Sequence, residues 1–348
     1  LKTVMSSYFF ILGSHPTLSV AEIHAVLTAR GIPWTLITLS DEVLIIDCAP
    51  GSAGIDIAWF GGVVKIGEII ESGATRPAHV LQRMLPDRDG IEFGWSVYPG
   101  ENRISEQTLR QEQEKLHRES MEWKRTHKAL GHVRIVTSRE RTLSSVVVAK
   151  NQLLTKGADC VCIIGTAQVW IGRTSAVQAF EEYGARDFGR PGHDARSGML
   201  PPKVAQMMVN LAVGSRQGSN KKNSSSSEVE KFPLLLDPFC GSGTILQEAL
   251  LIGYNVIGSD KSPSAIKDAK ENMGWLKDNY SVTQLPNCEI FQSDVRRLSE
   301  KLSTKVDAIV TEPYLGPALR KTPTQEELTM IITELMRLYL DAFRVFAH

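Results

Sequence analysis

Long apolar runs and net charge are both missing from this 348-residue sequence. No stretch approaches the roughly 20 apolar residues that a membrane helix needs. The run YFFILG near the start breaks at Ser14-His15-Pro16 and carries no small-residue cleavage site, so neither an anchor nor a leader is expected there. The 39 Lys and Arg balance 39 Asp and Glu, which excludes a chain-wide basic footprint and requires any nucleic-acid surface to be local. Cysteine is scarce: Cys48, Cys160, Cys162, Cys240 and Cys288 are odd in number and scattered. Cys160 and Cys162 alternate within ADCVCIIG, on one face of a strand, and no second Cys/His pair has zinc spacing. Core packing and no metal are expected, in a soluble protein of a reducing, cytoplasmic compartment.

What is present is ordinary globular composition, 42% hydrophobic and 22% charged, in a chain long enough for two or three domains. Residues 8–12 read as a strand and PTLSVAEIHAVLTARG as a helix closed by Gly31; WTLITLS, EVLIIDCA and GGVVKIGEII read as strands. This predicts an N-terminal α+β domain over 1–75. FGWSVYPG reads as a further strand, and the charged segment near 101–130 as a helix, with Leu109, Leu116, Met121, Trp123 and Leu130 at mostly helical spacing. VRIVTS, CVCII and QVWIGRT are predicted strands, and LSSVVVAKNQLLTKG a helix. From 101 to 156, 12 basic residues stand against 7 acidic ones, a local excess that on charge alone describes a solvated face. EEYGARDFGRPGHDARSGMLPPK reads as a connector, KVAQMMVNLAVG as a helix, and RQGSNKKNSSSSEVEKF as a flexible loop.

From residue 234 the rhythm becomes strand–helix alternation: LLLD, TILQEALLIG, NVIGSD, SPSAIKDAKENMGWLK, EIFQSD and DAIVTEP. That pattern specifies a parallel sheet covered by helices. The first strand ends in Asp237 and turns through Pro238, Phe239, Cys240, Gly241, Ser242 and Gly243 into a helix. Such a turn lets backbone N–H groups approach a ligand closely. A triphosphate site would place a lysine there, and a dinucleotide site a third glycine where Leu246 stands. The next strand ends in Asp260, an acid suited to ribose hydroxyls, and the third in Gln292-Ser293-Asp294, suited to an adenine amine. A ligand with ribose, adenine and a positive centre but no phosphate fits this acidic row. S-adenosylmethionine is such a ligand.

DPFCGSGT, GSDKSPSAIKDAKEN, QSDV and TEPYLGP occur in the order of motifs I to IV of class I amine methyltransferases. The set most resembles the THUMP-containing RNA methylases, which include tRNA guanosine N2-methyltransferases. SGMLPPKVAQMMVNLA is similar to the segment that precedes motif I in that family, and the likeness extends upstream through VWIGRTSAVQAFEEYGARDFGRPG to YFFILG. The resemblance implies a THUMP-like RNA-binding domain over 76–178, a linker over 179–198 and a Rossmann-like methyltransferase domain over 199–348. It implies S-adenosylmethionine held by Met199, Pro201, Asp237 to Gly243, Asp260, Lys261, Ser293 and Asp294. It also implies tRNA as partner, with Arg173, Arg186 and Arg190 as RNA contacts and the basic excess of 101–156 as RNA surface.

The usual catalytic tetrad of that family is Asp/Asn-Pro-Pro-Tyr/Phe; here it reads Thr311-Glu312-Pro313-Tyr314. An exocyclic amine has its lone pair drawn into the ring, so acceptors must hold its hydrogens while an aromatic ring stacks on the base. Glu312 is expected to supply the charge that Thr311 lacks, and Tyr314 the stacking face. FRVFAH reads as the end of the helix before a fifth strand, so a domain without its last strands is expected. The expected reaction is methyl transfer to guanosine N2 in tRNA. A DNA amine methyltransferase and a non-catalytic RNA-binding protein with a vestigial cofactor fold are the alternatives.

Overall fold

The computed structural model describes residues 6–49, 54–73, 77–85, 90–127, 132–192, 199–220, 233–280, 286–302, 304–319 and 321–347. They divide into two compact units, Leu1–Phe180 and Glu181–His348. The first unit runs β1 (Ser6–Leu12), α1 (Pro16–Ala29), β2 (Trp34–Leu39), β3 (Val43–Cys48), β4 (Val63–Gly73), α2 (Pro77–Met84), β5 (Ile91–Pro99), α3 (Glu106–Thr126), β6 (Val133–Ile135), α4 (Ser145–Lys150), β7 (Gly157–Ile164) and β8 (Val169–Val177). Its strands form one sheet in the order β2-β3-β1-β4-β8-β7-β5-β6.

The break expected at residue 75 is therefore not a break in the sheet. β4 pairs antiparallel with β8, with Glu68 opposite Arg173 and Ile66 opposite Ala176, so 1–75 and 76–178 share one continuous surface. On α1 the apolar spacing places Ile23, Val26 and Leu27 against Phe10, Leu44 and Ile46. On α3 Leu109, Leu116 and Trp123 recur every seventh residue and pack on Phe93, Trp95, Cys160 and Cys162. Ser105 caps α3 by accepting from the Thr108 N–H. Both strand cysteines are fully buried, and burial pushes their thiols up. Among the described residues no cluster of His, Cys, Asp or Glu could hold a metal ion.

Two local readings change. The helix expected over LSSVVVAKNQLLTKG ends at Lys150; three consecutive valines are weak helix formers, and the chain leaves the helix through Asn151 and Gln152, the latter at φ 52°. The connector at 179–198 carries a helix, α5 (Phe180–Phe188). α2 was not anticipated.

The second unit continues through α6 (Pro202–Asn220), β9 (Leu234–Asp237), α7 (Thr244–Leu251), β10 (Asn255–Asp260), α8 (Pro263–Asn279), β11 (Cys288–Gln292), β12 (Ala308–Ile309) and α9 (Gln325–Phe346). The Ser/Lys/Asn-rich tract expected to be flexible lies largely outside the described residues, at 221–232, while its first residues complete α6. The four strands are parallel in the order β11-β10-β9-β12. Leu235, Val256, Leu246, Ala249, Ile266 and Met273 form the core on one face, and Leu236, Ile257 and Leu298 on the other. Because every strand runs the same way, Asp237, Asp260 and Gln292 end on one edge.

Candidate active site

Strand register explains why residues distant in sequence meet at this edge. β12 pairs with β9 at Ala308↔Leu235 and Ile309↔Leu236, and the Val310 N–H continues the ladder to the Leu236 carbonyl at 2.9 Å. The next residue, Thr311, is thereby delivered beside Asp237, and its hydroxyl donates to Asp237 Oδ1 at 2.7 Å. Asp237 also accepts from the Phe239 N–H at 3.2 Å. It is 2% exposed, so this acid braces the turn from beneath rather than standing at the open edge as expected. Burial, with Asp260 and Glu312 nearby, raises its carboxyl to about 7 against the pull of those two hydrogen bonds.

The turn itself depends on glycine. Gly241 sits at φ +51° with open space where a side chain would point, and Gly243 at φ +88° forms the N-cap of α7. The Gly241 N–H donates to Asp260 Oδ2 at 3.1 Å, while Asp260 Oδ1 accepts from the Ser262 N–H at 2.8 Å. Asp260 thus fixes the turn to the start of α8, and each oxygen keeps a lone pair for a ligand. Cys240 is buried, held by its N–H to the Ser259 carbonyl at 2.9 Å. Pro238 is buried as well, and Phe239 is half-buried. Asn272 of α8, fully buried, donates to the Ser242 carbonyl at 2.8 Å and accepts from the Gly192 N–H at the same distance.

Beyond β11, Ser293 is buried and its N–H donates to the Asp260 carbonyl at 3.0 Å. Asp294 accepts from the Arg296 N–H at 2.9 Å and lies 3.5 Å from its guanidinium, so this acid is partly committed to its own turn. The exposed Lys261 places its ammonium 5.5 Å from the centre of the Tyr314 ring, within cation–π range. Glu312 and Tyr314 are exposed, and Pro313 lies half-buried between them. The Tyr314 carbonyl accepts from the Tyr339 hydroxyl of α9 at 2.7 Å. Sequence reading missed Tyr339 because nothing local distinguishes it from the other ring positions of an amphipathic helix.

The RNA contacts expected at Arg186 and Arg190 do not fit the structure. Arg186 is 5% exposed and bonds both oxygens of Glu248, at 2.7 and 3.1 Å. Arg190 is 3% exposed and donates to Gln247, Thr244, Ser242 and Met199. Neither guanidinium stands on the surface, where an RNA backbone would lie. Arg173, half-buried in β8, donates to the Gly157 carbonyl at 3.1 Å. Met199 is half-buried against Arg190, and the Pro201 carbonyl accepts the first N–H groups of α6.

A parallel sheet of this order, with a glycine turn after its first strand, an acid closing the second, and a proline–aromatic loop after the fourth, has the arrangement of class I methyltransferase domains. Residues 224–345 match the family described as UPF0020: RMKL-like, methyltransferase domain. The match lies wholly within the second unit. The chain is 28% identical over 307 residues to a tRNA (guanine(10)-N2)-dimethyltransferase of Methanothermobacter thermautotrophicus, covering 87% of this chain and 75% of that one. It is 31% identical over 147 residues to a protein of the same name from Methanocaldococcus jannaschii, covering 40% and 35%. In structure it resembles TrmN from Thermus thermophilus at a TM-score of 0.52 and 17% identity, covering 97% of this chain and 84% of that one.

Proposed function

We propose that the protein transfers a methyl group from S-adenosylmethionine to the exocyclic N2 amine of guanosine in tRNA. The observation that carries this reading is the Thr311–Asp237 hydrogen bond, because it ties the amine-acceptor loop to the cofactor turn. The relatives' names supply the substrate class, and position 10 is the guanosine they point to.

The residues at the strand ends fit the cofactor. Gly241 leaves a cradle that any side chain would fill, and Asp260 offers lone pairs to two ribose hydroxyls. The acids exclude phosphates and suit a cation. When bound, S-adenosylmethionine supplies a methyl group on a positive sulfur.

The chain's own residues then prepare the amine. Tyr314 offers an exposed ring on which a purine stacks, with Lys261 at its face. Glu312 is the one carboxylate of the tetrad and faces solvent, so it can accept an amine hydrogen and hold the lone pair in line. Thr311, whose proton goes to Asp237, keeps lone pairs but brings no charge to that role. Two hydroxyls thus hold the loop, Thr311 at its start and Tyr339 at the Tyr314 carbonyl. On the first unit, Arg103, Arg110, Lys115, Arg134 and Arg141 are already in ion pairs, which leaves Arg118 and Arg125 of α3, with Arg139, Lys150 and Lys156, among the exposed cations open to tRNA phosphates. The test is transfer of labelled methyl to tRNA against duplex DNA. Transfer to tRNA with none to DNA is expected; equal transfer to DNA overturns the substrate assignment.

A further inference from the structure

Among the described residues, Arg190 presents a charge with no counter-charge. Its guanidinium is buried, yet its four partners among the described residues are all neutral: Gln247 Oε1 at 2.6 Å, Thr244 Oγ1 at 2.8 Å, and Ser242 Oγ and Met199 Sδ at 3.2 Å each. Its Nε is buried with no hydrogen-bond partner among the described residues, as is the Gln247 amide nitrogen. One turn earlier, Arg186 shows what a structural arginine in this unit looks like, with two of its nitrogens on Glu248. No carboxylate of the described residues lies within ion-pair distance of Arg190; Glu248 is taken, and Asp187 acts on it only from farther away.

An isolated buried cation is costly in proteins and is retained only where something compensates it. Burial accordingly pulls the Arg190 guanidinium down from its ordinary range. Its neutral partners are also informative. Ser242 belongs to the glycine turn, Thr244 opens α7, and Met199 precedes α6, so the charge gathers at a point where the positive end of α7 adds to it. Ser242 and Met199 are the half-exposed members of this cluster, so an anion would reach the guanidinium from their side.

We propose that Arg190 is the counter-charge for the α-carboxylate of the cofactor's amino-acid moiety. This rests on the cofactor reading above, and the carboxylate is the only anionic group that cofactor carries. The position complements the acids at the other strand ends: Asp260 serves the ribose, and Arg190 serves the end that bears the negative charge.

The test compares two ligands that differ in this moiety, S-adenosylhomocysteine, which has the carboxylate, and 5′-methylthioadenosine, which lacks the amino acid. Calorimetry is run on the full chain and on Arg190→Met and Arg190→Lys. Arg190→Met should weaken S-adenosylhomocysteine about 10- to 100-fold, the range of a hydrogen bond to a charged group, and leave 5′-methylthioadenosine within about twofold. Arg190→Lys, which keeps the charge but not the fork, should fall between and serves if the methionine variant does not fold. Melting of unliganded Arg190→Met should be unchanged or higher, since an uncompensated buried charge has been removed. Equal weakening of both ligands means Arg190 only braces the turn, and unchanged S-adenosylhomocysteine affinity also overturns the proposal. Wild type that binds neither ligand defeats the cofactor reading itself, and this proposal with it.

Discussion

Replacing Asp237 by asparagine should stabilise the protein at alkaline pH and progressively less as pH falls. The carboxyl is buried under the glycine turn and raised from 3.8 to about 7. A group raised in the folded state adds stability below its unfolded value and loses that contribution as pH climbs through the folded one. At about 1.36 kcal/mol per tenfold change in proton affinity, burying this carboxyl costs roughly 4 kcal/mol at pH 8, where it stays ionised, and roughly 1.5–2 kcal/mol at pH 5, where folding instead takes up a proton. Asparagine keeps an oxygen for the Thr311 hydroxyl and the Phe239 N–H without the charge. Its amide hydrogens carry a pH-independent cost, so the informative quantity is how the difference between variant and wild type changes with pH. That difference should grow in the variant's favour by roughly 2–3 kcal/mol from pH 5 to pH 8, or about 5–10 °C in melting temperature for a unit of this size. Thermal unfolding followed by circular dichroism measures it. A difference that is flat with pH, or that turns against asparagine as pH rises, would refute the reasoning and mean that Asp237 is comfortably ionised in the folded protein.

The acceptor loop gives two further outcomes. Glu312→Gln should lower single-turnover methyl transfer on the order of 10²-fold, because a charged acceptor becomes an amide that also donates, whereas Thr311→Val should cost less. The reverse ranking would assign the amine to the Thr311 hydroxyl and backbone. Tyr339→Phe removes the hydrogen bond to the Tyr314 carbonyl and should lower kcat about 2- to 10-fold with cofactor affinity unchanged. Kinetics alongside calorimetry separate the two; a matching loss of affinity would mean that α9 supports the whole unit rather than the loop.

Much of this architecture is legible from local pattern. The strand–turn–helix at Asp237 to Leu251 and the alternation that follows announce a parallel sheet, and that sheet fixes which residues share an edge. What local pattern does not carry is pairing across distance. β4 and β8 join over a hundred residues apart, so a domain break at 75 looks natural in sequence and disappears in the sheet. Arg186 and Arg190 sit in a stretch rich in Gly, Pro and Arg that reads as a basic connector, because the sequence does not show Glu248 and Gln247 closing over them. Thr311 looks like a degenerate acid until the register of β12 brings it onto Asp237, 74 residues earlier in the chain. Tyr339 is set by how α9 lies over the loop, which helical periodicity alone leaves open.

The central claim is the identity of the methylated atom. Unmodified tRNA is incubated with the protein and S-adenosylmethionine, digested to nucleosides and resolved by mass spectrometry against standards. The account predicts N2-methylguanosine, appearing with wild type and strongly reduced with Glu312→Gln. Methyl found on adenine N6 or cytosine N4, or tRNA that stays unmodified while the protein binds it, would contradict the account.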